Sequence, residues 1–575
     1  MTPAFGFAPG ETEASCDLLV LGSGAAGLTA AVTAAEHGLD VIVAEKDSLF
    51  GGISAWSGGW LWIPGNRFAA EAGITDSAEE AGRYLRHELG NHFDTARVDA
   101  FLQGGPAMLE FLEGRTALRF ESGVAFPDYH PGVPGAVQGG RSLRPATYDG
   151  RALGEAVHAL RPPMRELTLF GLGVSSGGDI RHFAQVTRSL SSALFVLKRI
   201  AAHARDRLLH GRDLRLVNGN ALVGMLLRSA LDRGVRLRLS AAGERLLPEE
   251  GRVAGAVLAT PVGPVTVRAR RGVVLATGGF GHDPARQASQ HAHVARGGTH
   301  LPVAPAAVAG DGLRLGEAAG GRVVQGLPAA AILAPVSRVP HGDGSAGIYP
   351  HFVDRGKPGV IAVTRDGRRF VNESNSYHDM VQGMLRACGD NEATAFLIAD
   401  ARAVRRYGLG YAKPAPLSHE GLVRAGYLRR AATPAALAAE IGIEPVALEE
   451  TIRAFNAAAA EGRDPAFGRG DNRYNHFQGD PEHEPNPCLA PLETPPFYAV
   501  QVFPGDLGTA AGLRTDAAAR VLDEAGMPIR GLYAAGNDMA TVMAGCAPGG
   551  GVTLAPAMVF GWIAARHAAG AGGDA

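Results

Sequence analysis

At 575 residues and a formal net charge of −2, the chain has room for two or three domains and no electrostatic reason to bind nucleic acid. Its four cysteines, Cys16, Cys388, Cys488 and Cys546, lack the short spacings of a metal site or disulfide framework, so no metal, reduced thiols and a cytoplasmic location are expected. No apolar run reaches the ~20 residues of a membrane span, and residues 1–15 hold Glu11 and Glu13 but no lysine or arginine, against a signal peptide.

The first predicted element is a strand over Leu18 to Leu21. Gly22-x-Gly24-x-x-Gly27, a small-residue helix over 25–37 and a second strand over 40–44 follow, ending at Glu45. In such a unit the first glycine makes a tight turn, the second admits a pyrophosphate and the third lets helix and strand pack closely. The helix N-terminus offers unpaired N–H groups to the phosphates. Glu45, about twenty residues on, is placed to accept hydrogen bonds from an adenosine ribose. Together these parts read as a dinucleotide-binding unit, although glycine spacing alone does not separate NAD from FAD.

Lys46 opens the next stretch, KDSLFGGISAWSGGWLWIPGN, where Gly51-Gly52 and Gly58-Gly59 bracket Ser54 and Ser57. Bare backbone there can pass close to a flat ring system while the hydroxyls reach phosphate or ring heteroatoms. Residues 76–115 read as helical, with Pro106 at a helix start, and 120–150 as an aromatic-rich loop. The segment 185–212 reads as a helix with a basic, solvated side (Lys198, Arg199, Arg205, Arg207). From Asn218 the nucleotide-fold pattern resumes, with a helix over 221–233 and strands over 235–239, 252–259, 265–269 and 272–276. The last leads into Thr277-Gly278-Gly279, a second place where backbone can approach a cofactor.

Composition shifts after Gly281. Residues 282–495 hold many of the histidines and prolines, with helices expected over 391–405 and 433–460. At the C-terminus, Leu532 to Ala535 runs into Gly536-Asn537, another strand-to-glycine turn, and Gly549-Gly550-Gly551 precedes a final helix over 554–569. A chain whose end returns to nucleotide-fold patterning has its middle inserted. The expected fold is therefore α/β: a Rossmann-like unit over 1–281 and 496–575, with an α+β substrate unit inserted over 282–495.

Several segments spread over the chain carry a resemblance. They are the Gly22 to Gly27 turn, GGISAWSGGWLWIPGN, GGRSLRPATYDGRALG (139–154), ATGGFGH, DGRRFVNES (366–374), PPFYAVQVFPGDLGTAAGLRTD, and YAAGN with GGGVTLAPAMVFG. With these the chain resembles the fumarate reductase/succinate dehydrogenase flavoprotein superfamily, and within it the 3-ketosteroid dehydrogenases. The resemblance implies FAD, with Gly52, Ser54, Ser57, Gly58, Gly59, Gly278, Gly279, Gly536, Asn537 and Leu554 among its contacts. No histidine lies between Lys46 and Gly59, so attachment is expected to be non-covalent. The flavin ring is expected where the two units meet.

The implied reaction removes two hydrogens from neighbouring carbons beside a ketone, on a small hydrophobic substrate, with an electron acceptor the sequence does not name. Such chemistry needs a base for the α-proton, a donor for the developing oxyanion, and an acceptor held in line for the β-hydride. Tyr377, in NESNSYHD, resembles the family's proton-abstracting tyrosine, and Tyr129, in FPDYHP, its hydrogen-bonded partner. Phe126 is expected to line the same apolar site, and Arg368 and Arg369 to be structural. The subfamily grips the ketone with a tyrosine hydroxyl and the N–H of a glycine four residues later; here those positions are Ala547 and Gly551. One oxyanion donor is thus absent or supplied by Tyr533, His130, Tyr148 or water, and a steroid and a smaller cyclic ketone both stay open as substrates. The alternatives are a fumarate-reductase-type enzyme, which the aromatic Tyr377 at its donor-arginine position disfavours, and a flavin-binding protein without turnover.

Overall fold

The computed structural model describes residues 5–186 and 189–571. Its first sheet is built on Glu13–Leu21, whose residues Leu18 to Leu21 are buried. The strand pairs in parallel with Val41–Ala44 on one side and Gly263–Leu275 on the other. A run buried on both faces needs no alternation, so LLVL and VIVA read as continuous apolar blocks. The full order is Arg520–Leu522, Pro528–Ala534, Gly263–Leu275, Glu13–Leu21, Val41–Ala44, Arg236–Arg238. Ala242–Glu249 and Arg252–Thr260 extend it as an antiparallel branch. The helix Ala25–Glu36 covers one face and meets the C-terminal helix Leu554–Ala569 so closely that a Cβ on Gly561 would lie 2.5 Å from the Ala26 carbonyl oxygen.

The second sheet has the order Ala346–Pro350, Ala331–Pro340, Phe497–Thr509, Ala395–Asp400, Val360–Thr364. Its central strand, Phe497–Thr509, lies beyond residue 496, where the sequence reading places the return to the first unit; first-sheet strands resume only at Arg520–Leu522. Helix Tyr377–Cys388 lies against Ala331–Pro340. A buried charge network, in which Arg369 donates to Glu373 and Asp464 and Arg469 donates to Glu373, ties the sheet to the following loops. Arg369 is thus structural, as expected.

Three local expectations are corrected. Residues 391–405 are not one helix: Ala395–Asp400 is a strand, because AFLIA is an apolar block buried in the sheet, and the helix begins at Ala401, capped by the Asp400 carboxylate. Pro106 lies inside the helix Thr95–Arg115, whose start is capped by Asp94. The two short strands expected over 265–269 and 272–276 are one strand, Gly263–Leu275, in which Gly272 (φ +121°) lies where a Cβ would meet the Gly531 carbonyl oxygen at 2.3 Å.

Two glycine turns at the ends of neighbouring strands are clipped together by Asp538. Its buried carboxylate accepts from the Thr277 N–H, the Thr277 hydroxyl (3.1 Å) and the Gly279 N–H (2.9 Å). Replacing Asp538 with alanine should orphan these donors at about 1–3 kcal/mol apiece. The thermal midpoint of Asp538→Ala should fall well below that of Asp538→Asn, whose amide oxygen still accepts; equal midpoints would show the clip to be unimportant.

Candidate active site

The strand ends of the first sheet open on a cleft. Gly22, Gly24, Glu45, Lys46, Gly52, Ser54, Ser57, Gly278, Gly536, Asn537 and Leu554 all line it. Gly27, Gly58, Gly59 and Gly279 stand behind it as packing positions. A Cβ on Gly27 would lie 2.0 Å from the Gly22 carbonyl oxygen, and one on Gly59 2.7 Å from the Asn218 backbone. The Ser54 hydroxyl accepts from the Ala25 N–H at the helix start (3.0 Å), and the Ser57 hydroxyl donates to the Ser54 carbonyl (2.8 Å). Both hydroxyls therefore shape the loop that walls the cleft.

Glu45 is buried and accepts from the Ser23 N–H, the Ser23 hydroxyl and the Asp47 N–H. Burial pushes its pKa up, and the Ser23 and Asp47 hydrogen bonds oppose the rise. Lys46 reaches across to Asp311 at 2.7 Å. Arg161, not foreseen from sequence, pairs with Asp47 and lines the cleft, and its buried Nε has no partner among the described residues. Nothing local marks Arg161, because 114 residues separate it from Asp47.

A second constellation forms where three distant segments meet. The Tyr129 hydroxyl donates to the Tyr377 hydroxyl at 3.1 Å, with the rings edge to face at 5.6 Å. Tyr377 is the first residue of its helix, capped by Ser376, whose hydroxyl accepts from the Asp379 N–H. The Tyr129 N–H donates to the Pro548 carbonyl at 2.9 Å, which also accepts from the Tyr84 hydroxyl at 2.7 Å, so the loop leading to Gly551 is fastened beneath the pair. Gly551 (φ +107°) presses on Leu61, where a Cβ would lie 2.6 Å from backbone atoms, and no acceptor for its N–H is found among the described residues. Ala547 is buried in the same loop.

Burial raises the pKa of Tyr377, while the hydrogen bond from Tyr129 and the charge of Arg355 pull it down. Tyr129 is held well above the usual phenol value, so it stays a donor. Arg355 is wholly buried, donates to the carbonyls of His351, Glu373 and Asn375, and makes no ion pair among the described residues. The sequence reading did not single out Arg355. His130 bridges Glu88 (2.8 Å) and Asp379 (3.0 Å), joining the Tyr129 loop to the Tyr377 helix. Burial alone would lower its pKa, but Asp379 and Glu88 outweigh it and raise it to about 10.

Aromatic rings extend from this pair. Tyr474 packs on Tyr129 at 4.8 Å, Phe352 on Tyr377 at 5.7 Å, and Phe126 stacks on the half-exposed Phe477 at 4.7 Å. Phe126 also seals Gly550, where a Cβ would lie 2.5 Å from its ring. Tyr474, Phe352 and Phe477 escaped the sequence reading because isolated aromatics in loops and short helices carry no spacing signal. Two of the substitutes considered for the missing tyrosine hydroxyl lie elsewhere: Tyr533 bonds His567, and Tyr148 lies on a strand paired with Arg215–Leu216 and beside Gly224. His130 is occupied by its two carboxylates.

Residues 17–554 match the FAD binding domain family. The chain belongs to this family. It is 40% identical over 557 residues to 4-oxocyclohex-2-ene-1-carboxylate 5-dehydrogenase of Sinomonas cyclohexanicum, covering 96% of this chain and 94% of the relative. It is 36% identical over 570 residues to 3-oxosteroid 1-dehydrogenase of Mycobacterium tuberculosis H37Rv, covering 96% and 98%. Its fold matches the crystal structure of 3-ketosteroid delta1-dehydrogenase from Sterolibacterium denitrificans in complex with 1,4-androstadiene-3,17-dione, with a TM-score of 0.88, 33% identity and coverage of 97% and 99%. A flavocytochrome c3 fumarate reductase shares the fold alone, at 22% identity and a TM-score of 0.62.

FAD is the cofactor of this family, and the cleft fits it. A Cβ on Gly24 would meet only the Ser54 hydroxyl, at 3.4 Å, so that backbone faces open space beside the helix N-terminus. Among the described residues no helix is long and apolar enough to cross a membrane, and no cluster of His, Cys, Asp or Glu could hold a metal.

Glu45→Ala should loosen FAD about 10- to 100-fold, since hydrogen bonds to a charged group contribute about 1.5–3 kcal/mol each. Flavin fluorescence released on dilution measures this; full retention would exclude a Glu45 contact. The His130 bridge has a folded pKa raised above the ordinary value, so its stabilisation is fully present below about pH 6.5 and is lost as pH rises through about 10. The thermal midpoint of the unmodified protein should therefore fall more steeply between pH 7 and 10 than that of His130→Gln; parallel curves would contradict the bridge.

Proposed function

We propose that this chain is an FAD-dependent dehydrogenase that introduces a carbon–carbon double bond next to the ketone of a ring substrate, with Tyr377 as base. The observation that carries this reading is the part-buried Tyr129–Tyr377 hydroxyl pair beside the Gly551 loop. Both the cyclohexene-carboxylate and the steroid relatives are named as dehydrogenases of ring ketones, which supports the reaction class. When bound, FAD supplies the acceptor for the hydride that leaves the β-carbon. The chain's own residues manage the proton. Tyr377 takes it from the α-carbon, while Tyr129, kept protonated, donates a hydrogen bond that strengthens as negative charge develops on the Tyr377 oxygen. Arg355 adds a positive field to the same oxygen. The Gly551 N–H holds the oxyanion that forms on the ketone.

For the substrate we infer a cyclohexanone carboxylic acid ahead of a 3-ketosteroid. Ala547 removes a hydroxyl that the steroid subfamily places on the ketone, a loss of about 2.7–4 kcal/mol of transition-state stabilisation; the 40% identical relative is named for a cyclohexenone carboxylate, and a 36% identical one for 4-oxocyclohexanecarboxylate. The four cysteines are free thiols, in keeping with a cytoplasmic enzyme. Anaerobic titration of the FAD-loaded protein with 4-oxocyclohexanecarboxylate should bleach the flavin. No bleaching by this or any steroid ketone, with reoxidation of the reduced flavin by fumarate, would overturn the assignment.

Tyr377→Phe should keep FAD bound and lower turnover about 10²–10⁴-fold; near-normal turnover would remove Tyr377 from the reaction. Because the base works deprotonated and its pKa is raised, turnover should climb with pH into the alkaline range, and Tyr129→Phe should move that rise to higher pH. Ala547→Tyr should raise turnover of 3-ketosteroids relative to cyclohexanones; flat steroid activity would show that the missing hydroxyl does not limit it.

A further inference from the structure

Large apolar side chains rarely stand exposed in clusters on a protein that meets only water. Here seven of the fourteen exposed large hydrophobic residues lie in one patch, on the helix Leu190–His210 and the loop beside it. Leu190 (79% exposed), Leu194, Leu197 (62%) and Leu208 (85%) share one face of the helix. Phe170 (80%) stands on the adjoining loop, whose Gly171 would bring a Cβ within 3.1 Å of Arg207.

The helix's inward side is largely polar: Ser192 and Asp206 are buried there with Val196, and Arg199 and His203 both turn to Asp213. Its outward face carries leucines flanked by the exposed Lys198 and Arg207, while Arg205 pairs with Asp206 at 3.2 Å. The sequence reading took this side for a solvated basic face, because the run of cations is legible without knowing which side the leucines take.

We propose that this patch docks the enzyme on an anionic lipid surface, with the helix lying in the interface plane. A leucine face rimmed by cations is the pattern of an interfacial helix, and cations beside such a surface are drawn to anionic headgroups. A second copy of the chain fits less well. The leucine spacing would suit a helix pair, but the residues flanking that seam would set the exposed cations Lys198 and Arg207 against their copies.

Co-sedimentation of the FAD-loaded protein with vesicles tests this. The protein should pellet with vesicles of phosphatidylcholine and phosphatidylglycerol in equal parts, pellet weakly with phosphatidylcholine alone, and be released by high salt. Leu194→Glu/Leu197→Glu and Lys198→Glu/Arg207→Glu should each weaken vesicle binding about tenfold or more, with flavin content and turnover of a soluble ketone unchanged, since these side chains are exposed. Failure of the unmodified protein to pellet with anionic vesicles would overturn the proposal, as would binding indifferent to salt or to both double variants. So would a dimer in sedimentation velocity that Leu194→Glu/Leu197→Glu dissociates without any lipid binding, which would assign the face to a second copy.

Discussion

The hydrogen bond from Tyr129 to Tyr377 spans 248 residues of sequence and joins a loop tied to the first sheet's C-terminal glycines with a helix packed on the second sheet. A buried phenol such as Tyr129 is costly unless its hydroxyl is satisfied, and Tyr377 satisfies it. The surrounding structure is arranged to keep them so. The Pro548 carbonyl fixes the Tyr129 backbone, Asp128 next to it accepts from Trp62 and Arg141, and His130 on its other side grips Asp379 on the Tyr377 helix. A shift of either sheet unit against the other would break this pair first.

Electrostatics give the two tyrosines different roles. Both are buried, and burial resists charge on each. Only Tyr377 receives a hydrogen bond from its partner; Tyr129 gives one. Arg355, without an ion-pair partner among the described residues, leaves an uncompensated positive charge near both. The direction of one hydrogen bond thus separates base from donor, much as paired titratable groups divide acid and base roles when their environments push their pKa values apart. The cleft beside them obeys a different constraint, that of close backbone approach. Gly22, Gly27 and Gly59 are crowded by backbone atoms, whereas Gly24 faces open space.

Much of this was legible in the chain because it is local. The strand, turn, helix and strand of residues 17–45 follow from short-range spacing, and the final helix begins at Leu554 as its apolar pattern requires. Tyr129 and Tyr377 were readable only through their surrounding motifs. What stayed hidden depends on pairing between distant segments. Asp538 clips turns 259–261 residues apart, His130 meets partners 42 and 249 residues away, and the central strand Phe497–Thr509 joins the second sheet through partners far before it in the chain. Strand Ala395–Asp400 was misread as helical because a short apolar block has no period of its own.

Proton abstraction can be separated from hydride transfer by first reducing the flavin, which leaves no acceptor for the hydride. The most direct measurement follows α-hydrogen exchange of a bound cyclohexanone carboxylic acid in D2O by NMR, with the flavin kept reduced. The account expects the unmodified enzyme to exchange the α-hydrogen and Tyr377→Phe to lose that exchange while retaining FAD. Exchange at the unmodified rate in Tyr377→Phe would place the base elsewhere and contradict the central claim.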